Sequence, residues 1–481
     1  MKILQTLTAF VIFGLFFIIN IYTLNAGHNW GDDFAQYIQH AINLCEHQNY
    51  ASHISLDPWI IYPPGFPLLL SSLIFWFGLN LKILKSLNIL LWALSALAVY
   101  GLTLRKLDRF WARILTVWFL TSPFFFLYKQ NILSDIPFMC FVLLTLWAFT
   151  KFEEQENISP KVDNRLFLLL AVFFMSCSFL IRWAGIGLFL AVITYFSVIK
   201  QNWKKSLSFI LGAVICWFIT LRLGASALGY IKNTSHSLPD WIWASINNMA
   251  YIVRITLDFF LPYRSIITPL SHPLNSICAD LLFLGLMGTL CRCLYQRTID
   301  LMDCFMFFYL AGLVFWPIDG GARYILPIVI PLTIYMLRWI KPAFQKIPAF
   351  IFMVLILLNI FTIFANFKFN DDAILTKDAL EMMRFVELNI KPGEFYMFNK
   401  PRALGLFTQR LGASFWVYPP DQKEWYKRIK PLHIRYLIGD KQQDQFSHYD
   451  RFRLPTVHDA IFCTKIWENN RYKIFKVSLQ A

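Results

Sequence analysis

Runs of about twenty apolar residues are the feature that most constrains how this chain can fold. A run of about twenty apolar residues is long enough to cross the ~30 Å hydrocarbon core of a bilayer as a helix. The chain of 481 residues is 57% apolar and only 15% charged, whereas soluble proteins are about 25% charged. The sequence therefore predicts an all-α polytopic membrane protein with eleven spans, at about 7–24, 86–104, 112–128, 132–150, 166–181, 184–199, 206–223, 274–291, 301–317, 324–340 and 348–365.

The basic residues give this topology an orientation. The predicted inner loops carry sixteen Lys and Arg on short segments, and the outer side before the tail carries nine on much longer ones. Because cytoplasmic loops collect Lys and Arg, we expect a cytoplasmic N-terminus and a tail outside the cytoplasmic (inner) membrane. On a soluble protein the net charge of +15 would suggest nucleic acid, but the basic cytoplasmic loops of a membrane protein are the first explanation here. We therefore expect membrane lipids, and no nucleic acid, among the partners.

Two regions follow from this topology. Residues 1–366 form the transmembrane domain, with outer loops at 25–65 and 224–273 and a short re-entrant or juxtamembrane helix at 66–78. Residues 367–481 form a small extracytoplasmic α/β domain. In it, apolar residues from Leu375 to Val386 recur at helical spacing, and β-rich runs follow at 395–398, 435–438 and 472–477.

The first outer loop carries the most informative residues. Asp32 and Asp33 precede an amphipathic helical pattern that includes Tyr37, which predicts a helix on the membrane surface. Two interpretations of the carboxylates stay open. They cap the helix, or one is a general base at the membrane boundary; both hold if Asp33 caps and Asp32 acts.

Basic side chains at membrane depth form a second group of candidates. Charge within a span is costly, so such residues are functional hypotheses by default, and Arg suits phosphate. Snorkelling to lipid headgroups is the competing explanation. The candidates on the outer side are Lys129, Arg182, Arg254, Arg264 and Arg323, the last beside Tyr324 and two glycines.

Turn motifs open two of the apolar runs. Tyr62, Pro63 and Pro64 precede Gly65 and predict a rigid turn into the apolar layer, and Asp135 is followed by a proline as in a capped helix start. Both patterns are also explained by turn chemistry alone. Four His in the first loop, at 28, 40, 47 and 53, match no metal motif, although they could join Asp32 in a site.

The ordered set of these motifs resembles the GT-C membrane glycosyltransferases, in the branch of the protein mannosyltransferases and the lipid A aminoarabinose transferase. The resemblance rests on Gly31-Asp32-Asp33, Tyr62–Pro67, Ser134–Pro137, Ile181–Gly185, Arg323–Pro327 and the tail stretch Lys400–Leu404. Asp33 departs from the Glu of many relatives. The pattern covers nearly the whole chain.

This resemblance implies a sugar donor carried on a polyprenyl phosphate and an acceptor that is a lipid, a glycan or a protein. Asp32, with Asp33, is then the catalytic base of an inverting transfer. Arg323, Tyr324, Arg264, Arg182 and Lys129 bind the donor phosphate, while Tyr37, Tyr62, Pro63, Pro64 and Asp135 shape the cavity. No cofactor is firmly implied, and a divalent metal stays open.

Two other classes of function compete with an enzyme. A transporter or flippase of a lipid-linked glycan commonly shows internal repeats, and we find none in this sequence. A membrane scaffold or receptor leaves the carboxylates and the deep Arg residues without a role. Only an enzyme would yield a covalent product.

Overall fold

The structure is a computed structural model of the full chain. It describes residues 13–50, 54–56, 62–158, 165–223, 248, 252, 255–256, 259, 299–315, 321–339, 346–365, 373–414, 432–441 and 461–479. The second outer loop and the predicted span at 274–291 lie outside the described residues, apart from a few isolated positions in the loop. Elements are numbered below in chain order among the described residues.

Helices account for every other predicted span. Five are long and apolar enough to cross a membrane, counting α5 and α6 as one, and five shorter apolar helices accompany them among the described residues. The helices before residue 224 are α1 (Phe13–Tyr22), α2 (Asp32–Cys45), α3 (Gly65–Phe77), α4 (Leu81–Lys106), α5 (Arg109–Leu120), α6 (Pro123–Tyr128), α7 (Asp135–Ile158), α8 (Arg165–Ile181), α9 (Ile186–Thr194) and α10 (Trp203–Arg222). From residue 299 onward, the apolar helices are α11 (Leu301–Val314), α12 (Leu326–Trp339) and α13 (Lys346–Ala365).

Local chemistry explains where several of these helices break. Pro123 begins α6, so the span predicted at 112–128 is two helices with a step after Leu120. A 3-10 turn at Trp183–Gly185 separates α8 from α9, and another at Gly321–Ile325 leads into α12. A π-helical turn at Tyr195–Ile199 continues α9.

The tail is an α/β fold, as the sequence predicts. Helix α14 (Lys377–Asn389) buries Ala379, Met382, Met383 and Val386. The remaining elements are β1 (Phe395–Met397), α15 (Pro401–Thr408), β2 (Gly412–Ala413), β3 (Ile434–Asp440), β4 (Ile461–Glu468) and β5 (Tyr472–Leu479). They form one sheet in the order β2-β1-β3-β5-β4, in which β1 runs parallel to β2 and β3 and the other pairs are antiparallel.

The chain divides into two compact units. The first contains 1–24, 62–66 and 85–368, and the second contains 25–61, 67–84 and 369–481. In the second unit the first outer loop joins the tail sheet: Ser55 forms a parallel bridge with Gly412, whose carbonyl also accepts the Leu56 N–H at 2.8 Å. The predicted boundary at 366/367 stays a prediction.

Helix α2 is packed more completely than an amphipathic pattern suggests. Phe34, Tyr37 and Ile38 on its apolar face are buried as expected. On the polar face His40 is also buried; its imidazole lies 2.7 Å from the Tyr50 carbonyl and stacks on the Tyr50 ring. The loop's own chain therefore covers part of the polar face of the helix.

Candidate active site

The start of α2 holds the two adjacent carboxylates of the first loop, Asp32 and Asp33. Gly31 is the N-cap residue, and its N–H donates to the Asn29 side chain at 3.0 Å. Asp32 and Asp33 are therefore the first two helical residues, and neither occupies the N-cap position that the capping interpretation assigns. Their negative charges lie at the positive end of the helix dipole.

Asp32 is held by the tail rather than by its own helix. Its Oδ1 accepts the backbone N–H of Ala403 at 3.4 Å, in the first turn of α15. Arg402, which precedes Ala403, is only 8% exposed. The carboxylate thus lies near the amino ends of two helices, α2 and α15, whose positive dipole ends favour an anion.

The electrostatic surroundings of Asp32 give it the properties of a base. The side chain keeps some solvent access, yet protein atoms surround it closely, and this desolvation raises the pKa of Asp32 from 3.8 to about 6. Arg402, Lys400 and the Ala403 N–H lower that pKa, whereas Asp33 raises it. A carboxylate with a pKa near 6 is ionised at neutral pH and still accepts a proton more readily than an exposed Asp.

Aromatic contacts support the segment that carries Asp32. The His28 ring stacks on Phe34 with centroids 3.8 Å apart, and Trp30 meets Phe398 edge to face at 5.4 Å. In the same segment, the His28 carbonyl accepts a hydrogen bond from the Ile374 N–H at 3.2 Å. Tyr37, expected to shape the cavity, is 6% exposed and packs inside this unit.

A second cluster forms in the other unit around Arg182. Its guanidinium forms an ion pair with the buried Asp135 carboxylate, and its Cζ lies 5.1 Å from the Tyr324 ring centroid. Arg323 lies over the same ring, with its Cζ at 5.4 Å. Asp135, Arg182, Arg323 and Tyr324 are thus brought together, although they come from three separate stretches of the sequence.

Two tyrosines that the sequence did not single out complete this cluster. The Tyr309 hydroxyl donates to the Tyr324 carbonyl at 2.8 Å and so ties α11 to the turn before α12. Tyr128, at the end of α6, lies within electrostatic range of Asp135, Arg182 and Arg323. Neither Tyr lies in a motif of its own, so no local pattern indicated them.

Gly65 fixes the turn motif against the same region. A Cβ at Gly65 would lie 2.7 Å from the carbonyl carbon and oxygen of Leu180 and 2.9 Å from the Ile181 nitrogen. The turn therefore contacts the backbone of α8 directly before Arg182. The three residues before Gly65, which are Tyr62, Pro63 and Pro64, are also buried.

Lys129 has a different environment from the other predicted phosphate ligands. It is fully buried, and its ammonium donates to the Asn20 carbonyl and amide oxygens at 3.2 and 2.8 Å and to the Thr23 hydroxyl. It also lies 3.7 Å from the Phe126 ring centroid. These contacts join α6 to α1. Arg264 and Arg254 lie outside the described residues.

Metal ligands do not gather in the part of the chain that the structure describes. No group of three or more His, Cys, Asp or Glu side chains there could hold an ion. His28 and His40 are stacked on aromatic rings, and His53 is outside the described residues. The question of a divalent metal stays open.

Comparison with known proteins connects the amino-terminal part of the chain to a family. Residues 3–228 match the family model for dolichyl-phosphate-mannose-protein mannosyltransferase. This stretch contains Asp32, Asp135 and Arg182. No curated protein matches the sequence.

Solved structures match almost the whole chain. The structure resembles ArnT from Cupriavidus metallidurans bound to undecaprenyl phosphate, with a TM-score of 0.55 and 12% identity over 98% of this chain and 98% of that one. It also resembles the Archaeoglobus fulgidus oligosaccharyltransferase in complex with Zn and sulfate, with a TM-score of 0.56 and 13% identity over 92% of this chain and 69% of that one. These matches confirm the predicted fold class and the resemblance to GT-C membrane glycosyltransferases, and with the apolar helices they support a multi-pass membrane protein.

Proposed function

We propose that this protein is an integral membrane glycosyltransferase that moves a sugar from a polyprenyl-phosphate-linked donor to a lipid, glycan or protein acceptor. The observation that carries the proposal is the family match over residues 3–228, because this stretch contains both the carboxylate and the Arg182–Asp135 pair. The structural match to a protein bound to undecaprenyl phosphate agrees with such a donor.

Asp32 acts as the general base. It takes the proton of the acceptor hydroxyl as the hydroxyl oxygen attacks the anomeric carbon. The bond between the anomeric carbon and the phosphate oxygen breaks, and polyprenyl phosphate leaves with the bonding electrons. Attack from the face opposite the leaving group inverts the anomeric centre. A pKa near 6 supports this role for Asp32, since general bases work best near the ambient pH.

Arg182 and Arg323 bind the donor phosphate. Two guanidinium groups against one Tyr324 ring provide a dense positive charge with several N–H donors, which suits a phosphate that gains charge as it leaves. Asp135 partly neutralises Arg182 and fixes its orientation. Tyr62, Pro63 and Pro64 form the rigid wall of the donor cavity through the contact of Gly65 with α8.

The reaction takes place at the outer face of the cytoplasmic membrane, with the N-terminus in the cytoplasm and the tail outside. The excess of basic residues on the predicted inner loops supports this orientation. A cysteine introduced into the tail and labelled in intact cells by an impermeant maleimide checks the orientation. Protection of that cysteine until the membrane is opened would contradict it.

Transfer is tested in two stages. Mass spectrometry of glycolipids and glycoproteins from cells with and without the gene identifies the sugar and the acceptor. Purified protein is then given that acceptor and a polyprenyl-phosphate sugar, and we expect a glycosylated acceptor and free polyprenyl phosphate in equal amounts. Movement of donor across vesicles without a covalent product would instead indicate a flippase. Full transfer by an Asp32→Asn variant would exclude Asp32 as the base.

A further inference from the structure

The first turn of α15 lies directly against the Asp32 carboxylate. The Ala403 N–H donates to Asp32 Oδ1 at 3.4 Å, and the charges of Arg402 and Lys400 act on the same carboxylate. These groups come from the tail, more than 350 residues later in the chain. Asp33, on the carboxylate's own helix, is the like charge that opposes them.

We propose that Lys400, Arg402 and the Ala403 N–H form a positioning element that orients Asp32 and keeps it ionised for proton transfer. This inference rests on the proposed function, because it assigns a purpose to the tail through the base itself. The role of these residues is to hold the Asp32 carboxylate rather than the substrate, so they act through Asp32.

The physical need for such an element follows from the burial of Asp32. Removing water from a carboxylate disfavours its charged form, and a base that is already protonated cannot accept a proton. Nearby positive charge and a hydrogen bond to the charged form both restore ionisation. With Arg402, Lys400 and the Ala403 N–H lowering it, and burial and Asp33 raising it, the pKa of Asp32 is about 6. Without Arg402 the carboxyl would hold its proton to a higher pH.

The turn is fixed in place by contacts on two sides. The Tyr396 hydroxyl, from β1, donates to the Pro401 carbonyl at 2.9 Å. On α15 itself, a Cβ at Gly405 would lie only 2.5 Å from the Ile54 carbonyl oxygen, so this helix packs directly on the first-loop backbone. The element is therefore rigid relative to the loop that carries Asp32, as a positioning role requires.

The test measures the transfer rate against pH for the full-length protein in detergent, with Arg402→Met and Arg402→Lys compared with wild type. We expect the acid limb of kcat/KM to move up by about one pH unit in Arg402→Met, because an opposite charge close to a carboxylate lowers its pKa by about that amount or more. Arg402→Lys keeps the charge and should restore most of the wild-type profile. Arg384→Met removes the same charge from an exposed position on α14 and serves as the matched control, with no change in the profile.

A second readout does not depend on activity. The difference in melting temperature between each protein and its Asp32→Asn counterpart is followed from pH 4 to 8, and the pH at which this difference develops reports the ionisation of Asp32. We expect that midpoint to rise in the Arg402→Met background. An unmoved midpoint and an unmoved acid limb would overturn the inference, even if Asp32→Asn abolishes transfer. If every variant, including Asp32→Asn, kept full transfer while the midpoint shifted, Asp32 would be refuted as the base. The effect of Arg402 on the ionisation of Asp32 would still stand.

Discussion

Replacing Asp32 by Asn should make the protein more stable at neutral pH while it abolishes transfer. The pKa of Asp32 is 3.8 when unperturbed and about 6 in the folded protein. The folded state therefore holds the proton more tightly than the unfolded state, and ionising Asp32 at neutral pH reduces the free energy of unfolding. Below about pH 4 both states are protonated and this effect vanishes.

The size of the effect follows from the two pKa values. A shift of about two units corresponds to about 3 kcal/mol at 1.36 kcal/mol per unit. Because Asp32 keeps some solvent access, screening reduces this figure, and we expect about 1–2 kcal/mol. The stabilisation by Asp32→Asn should therefore be absent near pH 4, grow between pH 4 and 6, and stay constant above that range.

Thermal unfolding in detergent, followed by the fluorescence of the 17 Trp residues, measures this difference at a series of pH values. Transfer assays on the same samples should show a loss of about 10²–10⁴-fold, the usual contribution of a general base. Asp33→Asn is the matched control, since it removes a carboxylate from the next position of the same helix. A difference in melting temperature that is independent of pH, or that grows towards acid, would refute the reasoning.

Three further substitutions test the second cluster and the packing around it. Arg182→Lys keeps the charge but loses the planar guanidinium, so we expect the KM for the polyprenyl-phosphate donor to rise about tenfold with little change in melting temperature. An unchanged KM would exclude Arg182 from the donor site. Gly65→Ala places a Cβ 2.7 Å from the Leu180 backbone and should destabilise the protein by about 1–3 kcal/mol, measured as a lower melting temperature; wild-type stability would show that the turn can move away. Lys129→Met removes the hydrogen bonds from Lys129 to α1, so we expect the free energy of unfolding to fall by about 1–2 kcal/mol. The donor KM should stay within twofold of wild type, and a large rise in KM would instead support Lys129 as a phosphate ligand.

Local patterns in the sequence predicted the elements well. Apolar runs of membrane-spanning length matched helices wherever the structure describes them. In the tail, the helical spacing from Leu375 to Val386 matched α14 except at Leu375, which lies in a 3-10 turn at Ala373–Leu375. The β-rich runs matched β1, β3 and β5. These features depend on neighbouring residues, so a single sequence contains the information needed to find them.

The partners of the candidate residues were much harder to predict. Asp135 and Arg182 were each identified from their own motifs, yet nothing in the spacing of 47 residues indicates that they form an ion pair. The contact of Asp32 with Ala403 crosses 371 residues, and the basic character of Arg402 says nothing about which carboxylate it approaches. Such contacts are set by tertiary packing, which leaves no periodic signal in the chain.

The buried polar face of α2 shows the same limit. Alternation of polar and apolar residues predicts which side faces away from the core, but it does not reveal that residues 49–50 return to cover that side. His40 and Asn43 find backbone carbonyl partners there, so their burial satisfies their hydrogen-bonding groups.

The bridge between Ser55 and Gly412 has a consequence for the order of events during synthesis. The ribosome makes the first outer loop before all but the first of the predicted spans, while the strand that it joins at Gly412 is made near the end. The loop must wait for most of the protein to be translated and inserted before it reaches its final state, and contacts so distant in sequence form slowly. A tail produced alone would lack this partner for β2, and the open strand edge would favour self-association. The second unit is thus a late-forming assembly of the two ends of the chain, and truncating either end should leave the other without its partner.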